Sequence, residues 1–493
     1  MHNKSNDIAA LPNITPSWRQ VTRQCWGRLA QAYAVVVAVG FVIASTSSNL
    51  TMHVFGLGLI FPAAGFIPHA HSADVSGLLH VAMCAAGLGV FALACGVWFA
   101  TGNVLAPLLI WIVLAGVAAW MPHGTTEVSP LDIWMVLGWL VIIFSSTAAM
   151  MWCTHRLVIR QRTHTQHWLQ HESPLLKAEF VAKPEQTRPE LSFDDVKRLR
   201  FLLDRALQPV DAFDGFEWLD QFQTAALRYQ INGLGYALSM AHAQMMPASG
   251  GYMVEAQRRL IEKLRHPRIW KYWELENLWG NLARNPDPIR RENIMFSGFA
   301  ATQMVMYHAA TQRDDYMHEG SFTLHHPSGA HYAYDLERVV ECLAQQMESS
   351  AFHLMACEPN WIYPLCNMIG AAAIRAQQPK RWQQHASRFA LMLDQEFLDY
   401  QGRIIACRSR YTGLGFPMIG GAMPQALPCI FLNALHPELA MRQWLLLRRT
   451  IMRDGQLQRK AFWRVDTGNY RFSRASAYAS TALAASEMGD GEV

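Results

Sequence analysis

Between Arg28 and Arg156 the sequence has no lysine or arginine, and its only acids there are Asp74, Glu127 and Asp132. Ordinary solvated domains carry about a quarter of their residues charged, so this stretch is excluded from that class. Metal-type spacing is also missing. The nine cysteines (Cys25, Cys84, Cys95, Cys153, Cys342, Cys357, Cys366, Cys407 and Cys429) include no CxxC pair, and no histidine joins them at zinc spacing. An odd, scattered set excludes a disulfide scaffold. A cleavable signal peptide is not expected, because Met1–Ser17 is polar and no apolar core follows the first lysine. Alternating apolar runs typical of strands are nearly absent.

What is present is a division. Five apolar segments stand out: Leu29–Ser45, Leu50–Ile67, Val75–Phe99, Val104–Met121 and Leu131–Trp152. About 20 residues cross the hydrocarbon core of a bilayer. The second segment carries His53 and Pro62 and reads as a re-entrant hairpin buried in protein. Lys4, Arg19, Arg23 and Arg28 precede the first segment, and Arg156, Arg160 and Arg162 follow the last. Basic residues at both ends favour two cytoplasmic ends, hence an even number of crossings. The expectation is four spans plus the re-entrant segment. Five true spans, with the remainder of the chain on the opposite side, stay open. His53 and His80 read as neutral histidines bonded to neighbouring helices or set near an interface, although ionisable groups in spans often mark function.

The chain therefore divides into a cytoplasmic segment (1–28), a transmembrane region (29–153), a basic linker (154–190) and a water-soluble domain (191–493). Helical spacing begins at Phe193–Leu207 and recurs ten to twelve times, punctuated by Gly and Pro. The fold class is all-α: an N-terminal transmembrane helical bundle followed by stacked helical hairpins, which an (α/α)6 barrel fits. A repeat solenoid competes, but no fixed period appears.

Aromatic and polar residues mix unusually in the loops, as in Trp270–Asn281, Glu358–Tyr363 and Arg408–Tyr411. One aromatic alone reads as core. The group beside Cys, Asn and Glu reads as the wall of a pocket for a mostly apolar ligand. The sharpest constellation is Cys357-Glu-Pro-Asn-Trp-Ile-Tyr-Pro-Leu-Cys366-Asn367. Taken alone, free cysteines are small buried hydrophobes.

Three stretches carry a family resemblance: Arg268-Ile-Trp270 with Asp287–Met295 and Gly298; the Cys357/Cys366 motif; and Ala475–Asp490. They resemble the linalool dehydratase/isomerase family of bacterial enzymes. The resemblance implies an (α/α)6 barrel, no cofactor and no metal. It implies Cys357 and Cys366 as active-site cysteines, Tyr229 (after Arg228) as a third catalytic group and Met295 in the pocket. Phe299 stands where the family has a histidine. Asp211 and Asp214 are candidates for the family aspartate. The family disulfide is not expected, because its second cysteine aligns near His266. The substrate-binding set is Met295, Phe299, Trp361, Tyr363, Asn367, Trp279 and Tyr411.

The resulting expectation is a membrane-anchored hydro-lyase/isomerase acting on a lipophilic, terpenoid- or steroid-like alcohol or alkene. Cys366 with Tyr229 would serve the hydroxyl and Cys357 the carbon proton, or the reverse. The setting would be a bacterial inner (plasma) membrane, with the soluble domain cytoplasmic. Expected partners are the lipid bilayer and a lipophilic small molecule, with no nucleic acid. A homo-oligomer is compatible with the resemblance. Two alternatives remain: a carbohydrate-active enzyme using Glu274, Glu276 and Glu358, and a non-catalytic lipid-binding protein.

Overall fold

The computed structural model describes residues 11, 18–67, 75–121, 128, 130–173, 191–218, 227–465 and 473–493. Lys4, Asp74, Glu127, the 174–190 part of the linker and the side chain of His80 lie outside the described residues. The rest is all-α, with a few two- and three-residue strands.

The N-terminal bundle holds α1 (Gln20–Thr46), α2 (Leu50–Ile60), α3 (Val75–Thr101), α4 (Leu105–Trp120) and α5 (Pro130–His171). Three stretches, Gln20–Thr46, Val81–Thr101 and Leu131–His171, are long and apolar enough to cross a membrane. Only 11% of the most apolar window of each is buried within the protein, so their surfaces suit lipid rather than water. α4 is apolar but has 16 residues.

α2 is different: it is short and largely buried by its neighbours. Glycine permits the approach. A Cβ on Gly56 would lie 2.6 Å from both the Ala44 nitrogen and the Gly40 oxygen, the close backbone packing of small-residue membrane contacts. A short helix leaves carbonyls without intrahelical partners. Trp111 Nε1 donates to the Gly58 carbonyl at 2.8 Å, and the Tyr33 hydroxyl donates to Ile60 at 3.0 Å. His53 Nδ1 donates to the Ala44 carbonyl at 2.7 Å, and its Nε2 lies 3.8 Å from Asp132. His53 thus bonds to a neighbouring helix, as its sequence context suggests.

One boundary differs from expectation. The residues after Trp152 do not become a linker at Thr154; α5 runs on without interruption to His171. Trp168 and Leu169 then bury against Leu445 and Leu446 of the C-terminal domain.

That domain contains α6 (Phe193–Ala206), α7 (Leu227–Met245), α8 (Tyr252–Leu264), α9 (Pro267–Trp270), α10 (Tyr272–Gly280), α11 (Ile294–Thr311), α12 (Leu336–Ser349), α13 (Pro364–Gln377), α14 (Pro379–Glu396), α15 (Ala422–Leu435), α16 (Pro437–Ile451) and α17 (Ala475–Met488). The helix expected over Phe216–Met246 is described only from Leu227, since 219–226 lie outside the described residues. Among the described residues, α7, α11, α13, α15 and α17 pack side by side in an inner row. Apolar residues surround them. α8, α12, α14 and α16 carry a one-sided apolar stripe and cover the row from outside. α11 and α13 cross closely because Gly298 faces Gly370: a Cβ on Gly298 would lie 3.2 Å from the Gly370 Cα.

The bundle is seated on this domain at three places. At the start of α1, Thr22 Oγ1 donates to Glu396 at 2.7 Å and Arg19 Nη2 to the Leu398 carbonyl at 2.8 Å. At the end of α3, the Trp361 indole donates to the Phe99 carbonyl, and the Trp279 indole to Thr101 Oγ1, each at 2.9 Å. The far half of α5 forms the third.

Candidate active site

Cys357 and Cys366 come together through a turn and a helix start. Glu358-Pro-Asn-Trp361 is a β-turn closed by the Trp361 amide donating to the Glu358 carbonyl at 3.1 Å. Pro359 supplies the first corner, and Asn360, at φ 75°, takes the left-handed second corner that a type II turn requires. Trp361–Ile362 then joins the edge of a three-stranded antiparallel sheet with Cys407–Ser409 and Gly415–Phe416. Pro364 opens α13, so Cys366 falls in its first turn.

Asn367 locks the two pieces. Its Oδ1 accepts from the Met355 amide at 2.8 Å, while its Nδ2 donates to the carbonyls of Met355 and Tyr363, each at 2.9 Å. With its amide used three times and no exposed surface, Asn367 positions the cysteine loop. The expected substrate contact is replaced by that role. The result is a buried thiol pair, with Cys357 Sγ donating to Cys366 Sγ at 3.3 Å. All nine cysteines are free. Burial, the Cys366 sulfur and Glu358 push the Cys357 thiol well above its ordinary range, with Arg228 acting the other way.

α7 and α11 supply the opposite wall. Two successive left-handed residues, Glu292 (φ 56°) and Asn293 (φ 57°), precede α11. Such geometry is costly for non-glycine residues and needs support. Tyr272 supplies it by donating to Asn293 Oδ1 at 2.8 Å, as do Asn281, donating to Glu292 Oε2 at 2.7 Å, and Arg410, ion-paired to Glu292. Met295 then sits one turn before Phe299 on the inner face. Phe299 meets the Tyr229 ring edge-on at 5.3 Å. The Tyr236 hydroxyl donates to the Phe299 carbonyl at 2.9 Å, and burial, with the Cys366 sulfur nearby, raises its pKa.

At the centre lies Arg228, fully enclosed. Its Nη2 donates to Met295 Sδ at 2.8 Å and to the Tyr229 hydroxyl at 3.4 Å, and its guanidinium covers the rings of Tyr272 at 4.4 Å and Tyr229 at 4.6 Å. Two carboxyls share its field. Burial, reinforced by Glu358, pushes Glu276 up to about 7; burial also raises Glu358. Tyr363 donates to Glu358 at 3.5 Å. Burial thus shifts both carboxyls toward their protonated forms.

Of the sequence-derived residues, Cys357, Cys366, Tyr229, Met295, Phe299 and Tyr363 converge here. Trp361 and Trp279 bond to the end of α3 instead. Tyr411 is exposed and lies beside Arg410. Asp211 and Asp214 are exposed and face Lys263, while Glu274 meets His326 at 3.4 Å. Arg228, Tyr272 and Tyr236 escaped sequence reasoning as site members. A lone arginine on an otherwise apolar helix face was the available signal.

No curated protein matches the chain significantly. A family profile, linalool dehydratase/isomerase, matches residues 228–493, which begins at the central arginine and includes both cysteines. That span is more than half of the sequence: the chain belongs to the linalool dehydratase/isomerase family.

Proposed function

We propose that the protein is a membrane-anchored, cofactor-independent hydro-lyase/isomerase for a lipophilic alcohol or alkene of terpenoid or steroid type. The observation that carries this reading is the buried pair Cys357–Cys366, 3.3 Å apart, with Tyr229, Arg228 and Met295 in the facing wall.

Dehydration breaks a C–O bond and an adjacent C–H bond. One group gives a proton to the leaving oxygen, which departs as water; another takes the carbon proton as the double bond forms. Both must lie within hydrogen-bond reach of the substrate. Cys357 rests as a thiol and donates toward Cys366, which suits it to be the acid. Cys366, on the accepting side of that contact, suits the base. This reverses the division expected from resemblance alone. Tyr229, already donating its own proton toward Met295 at 3.8 Å, orients the hydroxyl. Aromatic faces favour cationic character at a tertiary carbon.

The membrane reading rests on four crossings by α1, α3, α4 and α5, with α2 re-entrant. The start of α1 and the ends of α3 and α5 all touch the C-terminal domain and so share one side. α1 leaves that side and α3 returns to it, so the chain between them begins and ends on the other. The basic residues flanking the spans favour a cytoplasmic side for the domain.

The test incubates membranes carrying the full chain with tertiary and allylic alcohols and analyses products by mass spectrometry. Water loss or double-bond migration, reduced at least a hundredfold by Cys357→Ala or Cys366→Ala with folding intact, is the expected result. Retained turnover in both variants refutes the assignment. Glycan cleavage lost only on Glu276→Gln or Glu358→Gln would replace it with the carbohydrate reading.

A further inference from the structure

Beyond Trp152, α5 carries one face through two environments. Met150, Cys153, Leu157, Arg160 and His164 recur at intervals of three or four residues, with Gln161 four residues after Leu157, and form a single stripe. Met150, Cys153 and Leu157 are exposed; Met150 and Leu157 are each about 60% accessible. Arg156 lies over the Trp152 ring at 4.1 Å, an arrangement typical of the membrane–water interface. Arg160 is three residues past Leu157, about 4.5 Å of helical rise, which fits within the roughly 5–7 Å headgroup layer of one leaflet.

At that level the stripe enters a cleft of about 490 Å³ between α5 and the C-terminal domain. Arg160, His164, Arg403 and Arg449 line it, with Gln161 and Leu446, and among the described residues no carboxylate does. Arg449 is held in place: its Nη2 lies 3.2 Å from His164 Nδ1, and its guanidinium sits 4.7 Å over Trp168. Arg403 is steadied from behind by Asp399 at 3.0 Å. Behind the cleft, burial and the charges of Arg19 and Arg442 weaken the hold of Arg162 on its proton, with Asp399 and Asp394 opposing. Among the described residues, Arg19, Arg160, Arg162, Arg403, Arg442 and Arg449 thus meet Asp394, Glu396 and Asp399 at this junction. The excess is positive and opens toward the apolar stripe.

We propose that this cleft binds a phosphate-bearing anion, supplied by the headgroup of an anionic phospholipid whose acyl chain lies along Leu157, Cys153 and Met150. The continuity of cationic cleft and exposed apolar stripe favours a lipid over a free phosphoanion, which would have no use for the stripe. A polybasic site at a cytoplasmic leaflet draws such lipids electrostatically. Occupancy would cement α5 to the domain. This cleft shares no lining residue with the cysteine site and does not depend on the proposed reaction.

The experiment uses the full chain in detergent, with phosphatidylglycerol or phosphatidylcholine added, and counts retained lipid by native mass spectrometry. A parallel arm measures thermal protection by inorganic phosphate. The expected result is retention of phosphatidylglycerol over phosphatidylcholine. Affinity should fall about fivefold in Arg160→Gln, fall again by about as much when Arg449→Gln is added, and recover in Arg160→Lys. The exposed Arg338→Gln, which removes equal charge elsewhere, should leave retention unchanged. Phosphate protection that is lost in Arg160→Gln, without lipid selectivity, would keep the anion site and overturn the lipid assignment. Equal retention in Arg160→Gln, Arg449→Gln and Arg338→Gln would overturn the site. Arg160 is exposed, so its substitution reads binding even where the double variant folds poorly.

Discussion

Gly102→Ala tests whether the apolar bundle governs the cysteine site. Gly102 ends α3 in the left-handed region at φ 73°, with its amide donating to the Trp98 carbonyl at 2.7 Å. An L-residue there costs roughly 1–2 kcal/mol. The larger effect is steric. The new Cβ would stand 2.0 Å from the Pro359 carbonyl oxygen and 2.6 Å from its carbonyl carbon. Backbone cannot yield as a flexible side chain can, so the Glu358–Trp361 turn must retreat by about 1 Å. That strains two hydrogen bonds, Trp361 to Phe99 and Trp279 to Thr101, each worth about 1 kcal/mol net. The total is roughly 3–4 kcal/mol, which over a domain of this size lowers Tm by roughly 3–6 °C. Cys357 lies two residues from Pro359, and a displacement of about 1 Å in a reacting group can cost about a hundredfold in rate. Thermal unfolding by tryptophan fluorescence and kcat/KM in the same detergent measure both quantities. Gly116→Ala is the control, since nothing lies within 4 Å of its Cβ position. If Gly102→Ala matches wild type in Tm and stays within twofold in kcat/KM, α3 is not seated on this turn and the reasoning fails.

Three further outcomes follow from packing and charge. Gly298→Val should lose about 1–3 kcal/mol, read as a lower denaturation midpoint at unchanged slope, because its Cβ meets Ile294 at 2.8 Å and the Gly370 Cα at 3.2 Å. Asp490→Ala should cost about 3–5 kcal/mol by the same assay: Asp490 accepts from Trp444 Nε1 at 3.0 Å and Arg448 Nε at 2.8 Å, and its loss removes the buried carboxylate from a buried guanidinium. Glu276 has a native pKa raised from 4.5 to about 7, so the native state holds its proton more tightly than the unfolded chain. Its stabilising contribution is complete below about pH 4.5 and is lost as pH rises to about 7. Tm should therefore decline across that window in wild type, and Glu276→Gln should flatten the decline; an identical pH profile would contradict the burial of this carboxyl.

The all-α class was legible because apolar spacing in helices is local. Cys357 and Cys366 came together only through the family resemblance; taken alone they read as buried hydrophobes, because the turn at Pro359 and Asn360 that brings their sulfurs to 3.3 Å leaves no periodic trace. Arg228 was not. Its enclosure depends on α7, α10 and α11 meeting, and no periodicity reports that an arginine's neighbours are Met295 and two tyrosines. Trp361 was misread for a related reason. It reads as a pocket aromatic, yet its indole bonds to Phe99, 262 residues earlier. α5 was cut short because histidines and arginines at positions 155–171 dilute the apolar pattern. Docking onto Leu445 and Leu446 supports a helix there that propensity alone leaves unmarked. The role of Asn367 was inverted: an amide next to a reactive cysteine looks available for ligand until its three backbone partners are known.

The unbroken α5 has a kinetic consequence. A helix of 42 residues is a rod about 63 Å long, and about half of it extends past the apolar stretch into contact with the C-terminal domain. If the bundle spans a bilayer as proposed, α1 and α3 are second and third attachments, and the domain cannot tumble relative to the sheet of lipid from which the proposed substrate comes. Search then takes place in two dimensions. The concentration that sets the rate is the mole fraction of substrate among lipids, not its amount per volume of water. Diluting the substrate with inert lipid at constant total concentration should slow turnover, whereas adding buffer should not.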